Sequence, residues 1–187
     1  MPVLAFYCRG VTVLNRWIMI AATGLIAIMV TVICYEVIAR YAFDAPTVWA
    51  MEMARLLLGP YFLLAGPYLL HIGGHVNVDI VYGKLPERTA KLVDLLTVPL
   101  IVYFGWVLLS YSLPLALTSW EHRETSTSAW NPQIWPAKAV MPLAFALLIA
   151  QAAAEWLRAL FRVLGYPDPA PPPVAPAEDL VTGGPGT

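Results

Sequence analysis

Charge is scarce in this sequence. Lys, Arg, Asp and Glu together make up 12% of its 187 residues, about half the roughly 25% usual in a soluble domain. Its 11 basic and 12 acidic residues nearly cancel, giving a formal net charge of -1. Without a basic cluster nothing is offered to the phosphates of a nucleic acid. Cysteine is limited to Cys8 and Cys34, too few for a disulfide framework, and both are read as reduced packing residues. Three histidines stand without a Cys cluster, an HExxH, a glycine-rich phosphate loop or a Ser/His/Asp grouping. The sequence therefore names no catalytic residue, no metal site and no cofactor.

What is abundant is apolar surface: 59% of the residues are hydrophobic and the mean hydropathy is +0.68. Four continuous apolar runs, about 17–39, 49–70, 92–118 and 134–157, each reach the roughly 20 residues that a helix needs to cross a bilayer. A membrane β-barrel would require alternating segments about half as long, so the expectation is an all-α membrane protein with four transmembrane helices. Pro60, Pro67, Pro99, Pro114 and Pro142 fall inside the runs and predict kinks, not breaks. Gly59-Pro60 and Gly66-Pro67, seven apart, place small residues on one face of the second span, a pattern that lets another helix approach closely.

Positive charge sets the expected orientation. Arg9, Arg16, Lys84, Arg88, Lys91, Arg158 and Arg162 flank the spans on one side, against Arg40, Arg123 and Lys138 on the other. Both termini are therefore expected in the cytoplasm. Trp17, Trp49, Trp120, Trp130, Trp135 and Trp156 stand at or near the expected span ends, where indole rings settle among headgroups. This gives a short N-terminal segment 1–16, a four-helix domain 17–162 and a tail 163–187. The tail, rich in proline and poor in large apolar residues, is expected to be disordered.

Three groups of polar residues stand out. Glu36 and Arg40 close the first span and Glu52 and Arg55 open the second on the same side, so four charges are expected to meet at similar depth. Unpaired, each would cost a few kcal/mol. They read either as a salt-bridge cluster locking two helices together or as an ion relay. His71 and His75 are four apart, but Gly73-Gly74 between them weakens the helix on which a shared metal or haem would depend. The segment between the last two spans, SWEHRETSTSAWNPQIW, carries Trp120, Arg123, Trp130 and Trp135. These residue types anchor protein partners and equally form an aromatic belt.

Taken together the pattern resembles one family, the small permease (DctQ-like) subunit of tripartite ATP-independent periplasmic (TRAP) transporters. Glu36 through Arg40 and Tyr41, Trp49 with Glu52 in WAMEMAR, HVNVD at His75 to Asp79, Leu85-Pro86, and the run from Thr127 to Lys138 leading into Met141-Pro142 carry the resemblance over residues 12 to 162. It implies a bacterial inner-membrane protein that pairs with a large DctM-like permease subunit and meets a periplasmic solute-binding protein, within a lipid membrane. It also implies sodium-gradient-driven uptake of an organic acid, with this chain as scaffold; the composition of the loop between the last two spans makes Trp120, Arg123, Trp130 and Trp135 the expected docking residues for the binding protein. A self-contained four-helix exporter acting as a homo-oligomer is the alternative; a haem-binding redox subunit and a pure assembly factor complete the competing classes.

Overall fold

The structure is a computed structural model, and it describes residues 2–72 and 87–164. The described residues form four helices: α1 (Pro2–Ala42), α2 (Ala50–His71), α3 (Glu87–Glu121) and α4 (Trp135–Val163). All four are long and apolar enough to cross a membrane, and the described residues contain no strand beyond one isolated bridge, Thr125 to Gln133. The fold class read from the sequence is the one observed. His75, Asp79 and nearly all of the tail lie outside the described residues.

The helix α1 differs from expectation at its start. Residues 2–16 are continuous with it. No proline interrupts the chain between Pro2 and Pro46, and Cys8, Thr12, Asn15, Ala22, Glu36 and Ala39 are all buried. Their separations of three, four and multiples of seven form a single stripe on one helix face. At 1.5 Å per residue the 41 residues reach about 62 Å, twice the hydrocarbon thickness of a bilayer. The helix stops where Asp44 turns left-handed (φ 50), the Ala45 N–H returns to the Ala39 carbonyl at 2.9 Å, and Pro46 disfavours further helix.

The helices alternate in direction. One end of the bundle, here the N/C end, gathers the start of α1 and the finish of α2 and α4; the opposite, loop end holds the α1–α2 and α3–α4 connections. Packing centres on α4, which lies against α1, α2 and α3, while α3 packs extensively on α4 alone. The interior is built from small residues: Ala22, Ala39, Ala50, Ala54, Ala65, Ala144, Ala152 and Ala154 are buried, while Ile28, Ile38, Leu100, Phe104 and Trp106 face outward. Lipid tails solvate Leu as well as a protein interior does, so helix contact in a membrane depends on close approach of small residues.

Two expectations about small residues need correction. Cys34 is exposed, whereas Cys8 is buried; both are free thiols. Among the described residues nothing lies within 4 Å of where a Cβ would stand on Gly59 or Gly66, so no described helix uses that face for close approach. The close contact belongs to Gly105 in α3, where a Cβ would meet Ile149 Cγ1 at 2.9 Å. Sequence spacing cannot distinguish these glycines, because the difference depends on which neighbour arrives.

Candidate functional site

At the loop end the four expected charges divide into two groups. Glu36, only 2% exposed, takes four hydrogen bonds. Arg40 donates to one carboxylate oxygen through Nε, at 3.0 Å, and through Nη2; Thr47 donates to the other through its backbone N–H, at 3.0 Å, and its hydroxyl. Thr47 Oγ1 also accepts from the Ala50 N–H at 3.4 Å, occupying one of the free donors at the start of α2. Glu36 thus fastens the end of α1 to the start of α2, through the loop and not through Glu52 or Arg55. All its lone pairs face fixed donors, which is how a buried carboxylate is made tolerable.

Glu52 is tied to the α3–α4 loop instead, accepting from the Ser128 hydroxyl. That loop is a compact turn. Ser126 N–H donates to Pro132 O at 2.9 Å and Ile134 N–H to Glu124 O at 3.0 Å, while Ser128 Oγ accepts from the Asn131 N–H at 3.2 Å. Arg123 (φ 45) and Asn131 (φ 49) take left-handed conformations, available to Asn at little cost and to Arg only where the surroundings hold it. Glu124 pairs with Lys138 at the start of α4, and this ammonium keeps the Glu124 carboxyl below the ordinary carboxylate range.

The four docking candidates also separate. Trp120 and Trp135 meet edge to face with centroids 4.2 Å apart, and Trp135 Nε1 donates to Gln133 Oε1 at 2.8 Å. With Arg123 and Gln133 they line a concavity of about 210 Å³. Trp130 lies apart from it, 6.5 Å from Trp49, which stacks on Tyr35 at 5.9 Å. That column links α1, the start of α2 and the α3–α4 loop.

The N/C end holds a buried polar network that the sequence reading leaves unassembled. Asn15 Nδ2 donates to Gln151 Oε1 at 2.9 Å, and Gln151 Nε2 to Glu155 Oε1 at 2.9 Å. Arg158 donates to Glu155 Oε1 at 2.6 Å, to Thr12 Oγ1 at 3.1 Å and to the Cys8 carbonyl at 3.5 Å. His71 Nδ1 lies 2.7 Å from Glu155 Oε1 and 2.8 Å from Arg158 Nη1. With its proton on Nδ1 the ring donates to Glu155; with the proton on Nε2 it accepts from Arg158. Asn15 Oδ1 and His71 Nε2 are buried with no hydrogen-bond partner among the described residues.

Arg158, read from the sequence only as a positive charge flanking the last span, is 2% exposed. The physical reason is the length of α1, whose first turns run beside the last turns of α4 and cover the guanidinium. The visible signal was Asn15 and Gln151, two amides inside or beside apolar runs, together with Glu155 and Arg158 three apart. Nothing in the spacing shows that these residues meet. His71 is committed to Glu155, and the described residues contain no group of three potential ligands able to hold a metal ion.

Compared with known proteins, residues 29–162 match the family described as tripartite ATP-independent periplasmic transporters, DctQ component. The sialic acid TRAP transporter small permease protein SiaQ of Vibrio cholerae serotype O1 is 27% identical over 97 residues, which cover 51% of this chain and 56% of that protein. That match spans about half the length of each. The α1 side of the N/C network, Cys8, Thr12 and Asn15, precedes the matched range.

Proposed function

The chain belongs to the DctQ component family of tripartite ATP-independent periplasmic (TRAP) transporters, and on that premise we propose that it acts as the scaffold of its transporter. In this reading it holds a large permease subunit in a bacterial inner membrane during binding-protein-dependent, sodium-gradient-driven uptake of an organic acid. Both termini are cytoplasmic, so the loop end is periplasmic.

The observation that carries the reading is how the polar groups of the bundle are spent. Glu36, Glu52, Glu155 and Arg158 are each held by partners within the chain, at one end or the other. Between those ends Thr23, Thr31 and Ser110 bond back to their own helices. Transporters build substrate and ion sites at mid-membrane from interrupted helices; here the polar chemistry fixes the bundle's shape. A bundle clasped at both ends, with large apolar side chains outward on α1 and α3, suits a stationary support against which a partner's mobile part works.

The periplasmic face of that support is the concavity of Trp120, Arg123, Gln133 and Trp135, where the loaded binding protein would dock. Trp130, packed toward Trp49, would stiffen the loop beneath it. The test is uptake into proteoliposomes holding the large subunit with and without this chain, with candidate binding proteins supplied outside. Uptake should require the chain and fall when Arg123 and Trp120 are replaced by alanine. Undiminished uptake by the large subunit alone would overturn the scaffold role, and undiminished uptake by the double variant would overturn the docking role.

A further inference from the structure

Near the loop end, α2 and the start of α4 leave between them an apolar groove of about 300 Å³, with Gly59, Leu63 and Met141 among its walls and Arg55 and Lys138 at its margin. The groove exists partly because Gly59 carries no side chain and nothing fills its place within 4 Å. Arg55 lies five residues and Leu63 thirteen residues beyond the first residue of α2, or about 8 Å and 20 Å at 1.5 Å per residue. Half of a bilayer's hydrocarbon core is about 15 Å. The groove therefore runs from headgroup depth to about the bilayer midplane, the course of one acyl chain in one leaflet.

The charges at the margin are not equivalent. Lys138 is engaged by Glu124. Arg55 is exposed and no hydrogen bond or ion pair holds it among the described residues; its charged neighbour Glu52 is bound to Ser128. A guanidinium at this depth is costly unless paired or able to reach the interface, and its planar fork suits two phosphate oxygens. One available cation above an apolar slot matches the single negative charge of a phosphodiester above an acyl chain.

We propose that this groove is a binding site for one glycerophospholipid, its phosphodiester on Arg55 and one acyl chain against Gly59, Leu63 and Met141. Recognition is of the diester, common to phosphatidylglycerol and phosphatidylethanolamine, so both bind and diacylglycerol binds more weakly. The bound chain fills the space beside Gly59 and pins α2 to α4 below the loop, where Glu52 and Lys138 already tie both helices to it.

The test is native mass spectrometry of the full chain in mild detergent, with its partner subunit where one accompanies it, after delipidation and titration with phosphatidylglycerol, phosphatidylethanolamine or dioleoylglycerol. One phospholipid per chain is expected, with dioleoylglycerol binding at least about tenfold more weakly, the loss expected when a charge-assisted contact is missing. Arg55→Gln should weaken both phospholipids by a similar factor. Gly59→Leu, placed in open space, should block the groove while leaving the thermal melt of the delipidated chain unchanged. Gly66→Leu, equally open but absent from the groove's lining, should bind normally. Equal binding of dioleoylglycerol, phospholipid affinity indifferent to both Arg55→Gln and Gly59→Leu, or cross-links from Met141 reaching a protein segment in place of lipid would each overturn the proposal. Because only the membrane bundle is required, a chain purified without a partner would contradict the scaffold reading and leave this one standing.

Discussion

Asn15 and Gln151, 136 positions apart in sequence, meet amide to amide at 2.9 Å, and neither side chain is exposed. The contact joins the first half of α1 to the last turns of α4, the region that carries α1 beyond its expected start. Replacing Gln151 by Leu strands both polar ends of the Asn15 amide, since Oδ1 has no partner among the described residues. A buried group left unsatisfied costs about 1–3 kcal/mol, and interhelical hydrogen bonds in membranes average about 0.6 kcal/mol. Gln151→Leu should therefore lower detergent-unfolding stability by about 1 to 2 kcal/mol, and the double variant Asn15→Leu, Gln151→Leu by less than Gln151→Leu alone. A double variant worse than Gln151→Leu would contradict this account.

Glu155 is the hub of the same network, with one oxygen accepting from Gln151 and Arg158 and lying against His71. Glu155→Gln removes one carboxylate partner of a guanidinium whose side chain is 3% exposed. One-sided removal from a buried pair costs about 3 kcal/mol or more, whereas removing both charges costs much less. The expected result is severe loss of stability for Glu155→Gln, partly relieved by adding Arg158→Met. Chemical unfolding in detergent, followed by tryptophan fluorescence, checks both.

How far the sequence reveals this molecule follows from which contacts are local. Four apolar runs of sufficient length exclude strands, so the helices were legible. Within the charge cluster, Arg40 on Glu36 is an i, i+4 pair and was equally legible. The second half of the Glu36 site was not: Thr47, eleven residues on, reaches it only because the α1–α2 loop folds back. Ser128 on Glu52, 76 residues away, and His71 on Glu155 and Arg158, at separations above 80, depend on helix packing that no periodicity encodes. The same dependence split the four tryptophan-loop candidates, since Trp130 turns to Trp49 while Trp120 and Trp135 pair.

Gly105 and Gly66 make a matched test of packing. A Cβ at Gly105 would press on Ile149 Cγ1 at 2.9 Å, whereas one at Gly66 meets nothing within 4 Å. Gly105→Val should push α3 away from α4 and cost about 1–3 kcal/mol, as overpacking does. Gly66→Ala should be neutral or slightly stabilising, because alanine is the better helix former. Thermal melts of the two variants in one detergent settle the comparison.

The Glu124 to Lys138 pair gives a pH dependence whose sign is fixed. Hydrogen bonding to the Lys138 ammonium lowers the Glu124 pKa in the folded chain, so the folded state favours the carboxylate. Its contribution to stability is present above the unfolded pKa and is lost as pH falls through the lowered folded value. The difference in melting temperature between the native chain and Lys138→Met should be constant from neutral pH to just above the ordinary carboxylate pKa, then shrink in more acidic solution. A difference that grows on acidification would contradict the pairing.

The scaffold reading is tested most directly by isolating the chain from its native membrane in a mild detergent and identifying what accompanies it by mass spectrometry. A large multi-span permease subunit in near-equal amount is the predicted result. Isolation of the chain alone as a homo-oligomer, able to move a solute across a reconstituted membrane without a partner, would contradict it.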